Sequence, residues 1–312
     1  MMRLSSSETM PAALRGGVVA LGNFDGFHIG HQGVVGRAVA RARAEGRPVI
    51  VATFDPHPAT LFRPDLPPFR LTTIDQRCRL FAEAGVDATY VIEFDRSVAA
   101  VSPQDFVSGW LGERIGGAVA VTGHDFTFGR AAGGTVADLA TLGTGLGITA
   151  EAVEPIADES GTISSTRIRE ALRGGDPRGA ARLLSRPFAV QGVVAHGAKL
   201  GRSIGYPTAN LVMGDYVRPA YGIYAVRVRL ADGRVLGGAA NLGIRPTFDP
   251  PVELLETYVF DFDGDLYGQT IEVELIEYLR AEAKFDSLDA LTAQMDADCE
   301  QARRILYDQP SP

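Results

Sequence analysis

Two histidines, His28 and His31, lie in the segment GNFDGFHIGHQ at residues 22–32. An apolar run precedes this segment and a helical pattern begins near Ile29, so we expect both imidazoles at the amino end of a helix that follows a strand. The free N–H groups and the dipole of a helix N-terminus attract anions. Imidazoles at such a position can donate hydrogen bonds to developing negative charge. The spacing therefore predicts a site for phosphate chemistry.

Two other interpretations of the histidine pair remain open. The first is a pair of surface histidines on an ordinary helix. The second is a zinc pair, although no third ligand lies nearby in the sequence. A further histidine, His57, lies between Pro56 and Pro58, where it could face a nucleotide or cap a turn.

A second polar constellation follows in GAKLGRSIGYPTANL at residues 197–211. Backbone N–H groups of glycine-rich turns can cradle phosphates, and Lys199 adds positive charge. The hydroxyl of Thr208 and the amide oxygen of Asn210 are hard ligands that suit Mg²⁺. Taken alone, the segment is equally consistent with a hairpin loop in which these two residues are incidental.

The composition of the chain limits what these constellations can belong to. The 312 residues are 46% hydrophobic and 22% charged, with a net charge of −8, which is typical of a globular protein and disfavours a strongly basic nucleic-acid binder. Two cysteines, Cys78 and Cys299, exclude a disulfide-stapled scaffold. No apolar run reaches the roughly 18 residues of a membrane span. We expect a soluble, cytoplasmic protein whose first fifteen residues are a loose start.

The elements that position the two constellations divide the chain into two domains, 1–185 and 186–312. The first half alternates apolar runs with helical patterns, which predicts an α/β domain with a parallel sheet. Its predicted strands are residues 17–22, 49–54, 88–94, 117–123 and 148–153. The second half contains β-rich runs separated by turns, which favours an antiparallel barrel or sandwich. A closing helix carries Leu288, Leu291, Met295, Ala302 and Leu306 near one face.

The motif of residues 28–31, HIGH, resembles the signature of the nucleotidyltransferase superfamily. The flanking GNFDG narrows the resemblance to the prokaryotic bifunctional riboflavin kinase/FAD synthetases, and TFDPHP (53–58), GHDFTFG (123–129) and ISSTRIR (163–169) agree with it. The resemblance implies a Rossmann-like adenylyl-transfer domain in which His28 and His31 are catalytic. The ATP-binding residues that it implies are Gly22, Asn23, Phe24, Asp25, Gly123, Asp125, Phe126, Ser164, Ser165, Thr166 and Arg169.

The second half resembles riboflavin kinase. The resemblance is carried by the PTAN segment, by NLGIRPT at residues 241–247, and by a glutamate on the strand before a D-x-x-G segment. It implies a six-stranded antiparallel barrel with a closing helix. Thr208 and Asn210 would bind Mg-ATP, and Glu256 would be the general base on the ribityl 5′-hydroxyl. The remaining phosphate-binding residues are Gly197, Lys199, Gly201, Gly205 and Pro207.

Three other glutamates of this half are not expected to take part. Glu253 is assigned to a solvent-facing loop, whereas Glu272 and Glu274 alternate with apolar residues and are expected on the exposed side of a strand. The chain departs from the family pattern at Thr127 and in DQRCRLF at residues 75–81. We expect no catalytic consequence of the second departure.

The expected function is therefore phosphorylation of riboflavin to FMN, followed by adenylylation of FMN to FAD and pyrophosphate. Both steps use ATP with Mg²⁺, so the expected partners are the small molecules riboflavin, FMN and ATP, with no nucleic acid or membrane. The sequence leaves the oligomeric state open. Two alternatives are a different nucleotidyltransferase with a non-catalytic β-domain and a non-enzymatic flavin- or nucleotide-binding regulator.

Overall fold

The computed structural model describes residues 1–195, 206–245 and 252–307. The chain forms two compact units. Residues 1–66 and 73–164 form the first unit, and residues 67–72 belong with those from 165 onward in the second. The boundary at residue 185 inferred from the sequence remains a prediction.

The first unit is built on a six-stranded sheet in which every paired strand is parallel, as the sequence predicted. In chain order the strands are β1 (Met2–Ser5), β2 (Val18–Leu21), β3 (Val49–Asp55), β4 (Ala88–Glu93), β5 (Val119–Gly123) and β6 (Thr149–Val153). They lie side by side in the order β1-β4-β3-β2-β5-β6. A two-stranded hairpin follows, formed by β7 (Ala157–Asp158) and β8 (Gly161–Thr162).

The expectation of a loose amino-terminal start was wrong, because β1 pairs in parallel with β4 at the edge of the sheet. Of its four residues only Leu4 is buried. A strand this short with one buried side chain has no alternation long enough to detect.

Helices cover both faces of this sheet, and an apolar core lies on each face. The helices are α1 (Ile29–Glu45), α2 (Pro58–Phe62), α3 (Ile74–Glu83), α4 (Arg96–Ala99), α5 (Pro103–Asp105) and α6 (Val136–Thr144). A π-helical stretch, Phe106–Ile115, continues α5, and short 3₁₀ turns occur at Ala12–Leu14 and Arg130–Ala132. This arrangement is the predicted α/β architecture.

The second unit contains an antiparallel six-stranded sheet, in agreement with the predicted barrel. Its elements are α7 (Ser165–Arg173), α8 (Pro177–Leu184), β9 (Phe188–Val193), β10 (Thr208–Val212), β11 (Gly222–Arg229), β12 (Val235–Arg245), β13 (Val252–Val259), β14 (Thr270–Arg280) and α9 (Leu288–Tyr307). The strand order is β10-β13-β12-β11-β14-β9, and a bridge between Ala195 and Asn210 links the two edges. The sheet therefore closes on itself through that bridge.

Three glutamates occupy positions that differ from the sequence expectation. Glu253 lies within β13, not in a loop, and accepts hydrogen bonds from Arg218 and Tyr221. Glu272 is buried on β14, and Glu274 is largely covered and paired with Arg229. Burial raises the pKa of Glu274. Alternation correctly placed Glu272 and Glu274 on a strand, but it did not show that their side chains are covered.

The helix α8 provides a direct test of where the second unit begins. Its buried face includes Ala180, Leu183 and Leu184 and packs on β9 and β14. We expect a fragment of residues 165–312 to unfold at a temperature at least about 5 °C above that of residues 186–312. The reason is that each leucine removed from water contributes roughly 1.5–3 kcal/mol. Circular dichroism melting curves give the comparison, and equal midpoints would support the boundary at residue 185.

Candidate active sites

The strand order of the first unit reverses next to β2. The chain continues from β2 to β3 and β4 on one side, and it returns with β5 and β6 on the other side. In open α/β sheets, ligands bind beyond the carboxyl ends of the strands at such a switch point. The loops that follow β2 and β5 contain the predicted segments GNFDG and GHDF, so this edge of the sheet is the candidate site.

The two histidines lie together at the beginning of α1. His28 is the N-cap residue, and its Nδ1 accepts a hydrogen bond of 3.4 Å from the backbone N–H of His31. The two rings stack with their centroids 3.6 Å apart and an interplanar angle of 21°. Because Nδ1 acts as the acceptor, the neutral His28 ring carries its proton on Nε2. The histidine that caps the helix can therefore also donate to an anion.

The loop before these histidines is held in a strained conformation. Phe24 and Phe27 adopt left-handed backbone angles, with φ of 52° and 40°. Such angles cost a residue other than glycine roughly 1–2 kcal/mol. Both rings are buried and pack edge-on against Phe81 on α3, with centroids 5.8 and 5.1 Å away. Burial of the two aromatic rings offsets the backbone strain, and this fixes the path of the chain into α1.

Arg77 is a site-organising residue that the sequence analysis did not single out. Its guanidinium lies on α3, is 3% exposed, and donates from Nη1 to the backbone oxygens of Asn23 at 2.9 Å and Phe54 at 3.2 Å. Nη1 also reaches Thr53 Oγ1 at 3.1 Å, and Nη2 reaches Asp55 Oδ1 at 3.1 Å. One buried cation thus joins the loop after β2 to the end of β3. The sequence signal that could have identified Arg77 is its place on the buried face of α3, one turn before Phe81.

The other predicted residues of the first unit differ in how deeply their side chains are buried. Asn23 has a buried side-chain oxygen without a hydrogen-bond partner, and Asp25 is 5% exposed. Asp125 projects into solvent beyond Gly123, at the end of β5. Phe126 stacks on Phe128 with centroids 6.0 Å apart, so its ring belongs partly to the core.

Two further predicted residues are Gly22, which directly follows β2, and Ser164, which is the last residue of the first unit. A side chain at position 22 would meet the ring of Phe24 at 3.1 Å, so glycine allows that ring to fold over the strand end. The residue before Ser164 lies close to the first turn of α1, because the carbonyl oxygen of Ile163 would be 3.5 Å from a Cβ atom at position 30.

Ser165, Thr166 and Arg169 belong to α7 in the second unit. Arg169 donates from Nε to the carbonyl of Phe69 at 2.6 Å, and its guanidinium lies 5.1 Å from the centre of that ring. The role of these three residues in binding ATP stays a prediction. His57 takes the capping role, since its Nδ1 accepts from the N–H of Ala59 at 3.1 Å at the start of α2.

Strand register aligns the predicted residues of the second unit. Thr208, just after Pro207, opens β10. On β10, Asn210 is the register partner of Glu256 on β13. Asn210 is 3% exposed, and its side-chain oxygen has no hydrogen-bond partner. A hard oxygen ligand and a carboxylate therefore lie on adjacent strands of one sheet.

Thr208 and Glu256 border a cavity of about 780 Å³. Thr208, Asn241 and Glu256 line its polar side, whereas α9 and the segment before it supply Phe285, Leu288, Leu291, Met295 and Cys299. The closing helix was predicted correctly, but Leu288 is 55% exposed and does not join the core. Within α9 the core contacts come from Ala302 and Leu306 near its end, and its first half forms an apolar wall of the cavity.

Polar contacts hold α9 against the barrel. Arg280 on β14 forms a bidentate pair with buried Asp298, at 2.9 and 2.6 Å. Tyr206 donates a hydrogen bond to Asp296 on the same helix. Burial, followed by the negative charge of Asp298, raises the pKa of Cys299 to about 11, so this cavity-lining thiol stays protonated at neutral pH. The wall is therefore fixed and uncharged at this position.

Four predicted phosphate-binding residues, Gly197, Lys199, Gly201 and Gly205, lie outside the described residues, as does the end of the NLGIRPT motif. Within residues 1–195, 206–245 and 252–307, no group of three or more His, Cys, Asp or Glu side chains is arranged to hold a metal ion. Over the same part of the chain, no helix combines the length and the apolar character needed to cross a membrane.

Comparison with known proteins supports two successive domains. A family model described as FAD synthetase matches residues 10–167, and one described as riboflavin kinase matches residues 184–306. The chain is 38% identical to the bifunctional riboflavin kinase/FMN adenylyltransferase of Haemophilus influenzae, over 94% of this chain and 95% of the relative. It is 37% identical to the protein of the same name from Bacillus subtilis, over 93% of this chain and 92% of the relative. These matches confirm the resemblance that the motifs carry.

Among solved structures, the chain is similar to a crystal structure described as a macrolide-efflux protein from Streptococcus pneumoniae. The two are 34% identical, with a TM-score of 0.85, over 97% of this chain and 99% of the other. The similarity extends over both units.

The buried position of Arg77 leads to a prediction about stability. Arg77→Met leaves the carbonyls of Asn23 and Phe54 without their donor, and we expect the free energy of unfolding to fall by about 3–5 kcal/mol. Amide hydrogen exchange in residues 23–28 is expected to accelerate. Arg77→Lys retains the charge with fewer donors and is expected to fall between Arg77→Met and the wild type.

Denaturant titration and exchange measured by mass spectrometry test this expectation. Arg79→Met is the matched control, because Arg79 lies on the same helix, its side chain is 40% exposed, and it pairs with Glu83 at 4.0 Å. We expect the control to change stability by less than about 0.5 kcal/mol. Equal effects of the two substitutions would show that Arg77 does not hold the loop.

Proposed function

The chain belongs to the bifunctional riboflavin kinase/FMN adenylyltransferase family, and we propose that its second unit phosphorylates riboflavin to FMN while its first unit adenylylates FMN to FAD. The observation that carries the proposal is the pairing of Asn210 with Glu256 at the edge of a cavity with an apolar wall. We further propose a cytoplasmic location, where ATP is available for both reactions.

In the kinase reaction, Glu256 would orient the 5′-hydroxyl of riboflavin and accept its proton. The 5′-oxygen then bonds to the γ-phosphorus of ATP as the bond to the bridging oxygen breaks, and ADP leaves. A primary alcohol is a poor nucleophile, so a carboxylate within hydrogen-bond reach lowers the barrier. The position of Glu256 on a paired strand holds this carboxylate in place before the substrate arrives.

The residues around Glu256 fit a magnesium ion delivered with ATP. The orphaned, buried oxygen of Asn210 and the hydroxyl of Thr208 are hard donors of the kind that Mg²⁺ prefers. The ion would neutralise charge on the phosphates during transfer. The side-chain oxygen of Asn210, which has no hydrogen-bond partner in the fold, would then have the ion as its partner.

The apolar wall of the cavity suits the flavin ring system. Phe285, Leu291 and Met295 present carbon and sulfur surfaces opposite the polar strand residues. A planar heteroaromatic ring buries its faces against such groups, while its polar side chain is directed towards Glu256. The cavity is therefore divided in the same way as riboflavin, which has an apolar ring system and a polyhydroxylated chain.

In the adenylyl transfer, a phosphate oxygen of FMN attacks the α-phosphorus of the second ATP and pyrophosphate leaves. The attacking phosphate is already ionised, so the reaction needs no general base. Donors that stabilise charge on the α-phosphate are needed instead. His28, His31 and the amino end of α1 supply such donors, and Arg77 holds the loop that positions them.

One incubation tests the proposal as a whole. The full chain with riboflavin and Mg-ATP is expected to produce FMN first and then FAD, separated by chromatography. FMN supplied directly is expected to give FAD. A chain that converts FMN but not riboflavin would contradict the kinase assignment, and one that converts neither would contradict both.

Glu256→Gln is expected to lower the turnover of riboflavin phosphorylation by roughly 10²–10⁴-fold, because the amide cannot accept the proton. FMN adenylylation, measured in the same preparation, is expected to stay near the wild-type value. The matched control is Glu253→Gln on the same strand, whose carboxylate bonds Arg218 and Tyr221. It is expected to lower stability while kinase turnover stays close to normal, and near-normal turnover in Glu256→Gln would refute the base assignment.

His28→Asn separates capping from chemistry, since asparagine is a good N-cap residue without an imidazole. We expect FAD formation to fall by about 10²–10³-fold, mainly in kcat, as for the loss of a donor to transition-state charge. His31→Ala is expected to act in the same direction, and riboflavin phosphorylation is the internal control. His124→Gln, a change at a half-exposed histidine, is expected to have little effect. A change confined to the KM for ATP would make the pair binding residues only.

A further inference from the structure

We infer that Asn241 on β12 binds the ribityl chain of the flavin and so selects flavins that carry a polyol. The inference rests on the proposed kinase function of the second unit. Asn241 is the register partner of Glu256 on one side and of Ile223 on the other. Directly paired residues of an antiparallel sheet project from the same face, with Cβ atoms about 4.5–5.5 Å apart. Asn241 therefore lies next to the proposed base.

The side-chain oxygen of Asn241 has no hydrogen-bond partner among the described residues. Its Oδ1 is buried and makes no hydrogen bond, although the side chain lines the cavity. Buried polar groups are nearly always paired, and an exception is explained by a bound ligand, a water molecule or a catalytic role. Rotation of the amide about its last torsion exchanges oxygen and nitrogen, so one side chain can offer either a donor or an acceptor to the cavity.

Small residues flank Asn241 on its strand. Ala239 and Gly243, two residues away on either side, project from the same face because side chains alternate along a strand. Ala239 also lines the cavity. A side chain at position 243 would collide with the carboxylate of Glu282. Asn241 is thus a polar group between two small residues.

The surroundings of Asn241 suit the binding of a sugar alcohol. Each hydroxyl of a polyol both donates and accepts a hydrogen bond, as the amide does. The flavin ring would lie against the apolar wall and the terminal hydroxyl against Glu256, so the chain hydroxyls pass between these two positions. Asn241 adjoins Glu256, which places it at the hydroxyls just before the reacting end. An amide does not titrate near neutral pH, so its role is binding and not proton transfer.

The experiment compares two flavins in the riboflavin phosphorylation assay of the full chain, which reports only on the kinase cavity. Riboflavin is the substrate, and lumiflavin, which has the same ring with a methyl group in place of the ribityl chain, is the competitive inhibitor. Asn241→Leu is expected to raise the KM for riboflavin about tenfold and to change the inhibition constant of lumiflavin by less than twofold. The KM for ATP and the rate of FMN adenylylation are expected to stay unchanged.

Thr257→Val is the matched control. Thr257 follows Glu256, projects from the opposite face of β13, and also has a buried oxygen without a partner. Removing that oxygen tests whether the loss of any unpaired buried polar atom alters the kinase. We expect the riboflavin KM to remain within twofold of the wild type.

Two outcomes would overturn the inference. Equal weakening of riboflavin and lumiflavin would make Asn241 a wall residue only, and no change in either would mean that it does not contact the flavin. If Asn241→Leu does not fold, Asn241→Ala is used instead, because it removes the amide without adding bulk. The measurement is the same ratio of the riboflavin KM to the inhibition constant of lumiflavin. A wild-type chain that does not phosphorylate riboflavin would refute the proposed kinase, a result separate from an unchanged ratio.

Discussion

A polar group that is buried in a protein destabilises the fold unless it finds a hydrogen-bond partner, and this constraint organises both units. In the first unit, Nη1 and Nη2 of Arg77 meet it with oxygens from the loop after β2 and from the end of β3. In the second unit, Asn210 and Asn241 each keep a buried oxygen without a partner. The bonds of Arg77 hold the loop after β2, whereas a buried oxygen without a partner leaves a position that a ligand can complete, and Asn23 in the first unit has such an oxygen as well.

The first unit shows what the hydrogen bonds of Arg77 allow. Phe24 and Phe27 hold left-handed angles that would relax in an isolated loop. Burial of their rings on Phe81 and the bond from Arg77 to Asn23 oppose that relaxation. The beginning of α1 is consequently rigid before any ligand arrives. Donors that need no reorganisation are the ones that lower the barrier of a charge-separating reaction.

The sequence predicted the elements whose signals are local. Continuous apolar runs identified β2 to β6, and the change of pattern near Ile29 predicted the start of α1. Motifs located the two sites because each motif is contiguous. The four-residue β1 escaped detection, since one buried leucine makes no pattern.

What the sequence did not predict depends on contacts between distant segments. Arg77 was not singled out within the segment of residues 75–81, and only the packing of α3 shows that it is buried. Asn241 was noticed within its motif but not as a site residue, because its importance comes from register with Glu256. The same limit explains Glu253, whose partners Arg218 and Tyr221 lie more than thirty residues away. The spacing of residues within one strand does not show which residues of another strand they pair with.

Register also explains how the second site can be precise without a rigid loop. Asn210, Glu256 and Asn241 form one row across β10, β13 and β12. The proposed metal ligand, base and polyol-binding amide are then spaced by the sheet itself, because adjacent strands lie about 4.8 Å apart. The backbone ladder fixes these intervals, and side-chain rotation adjusts only the last ångström. Thr257 marks the limit of this reasoning, since its unpaired oxygen lies on the other face of β13, away from the cavity. A buried orphan therefore indicates a ligand only where register also brings it to a cavity and to complementary chemistry.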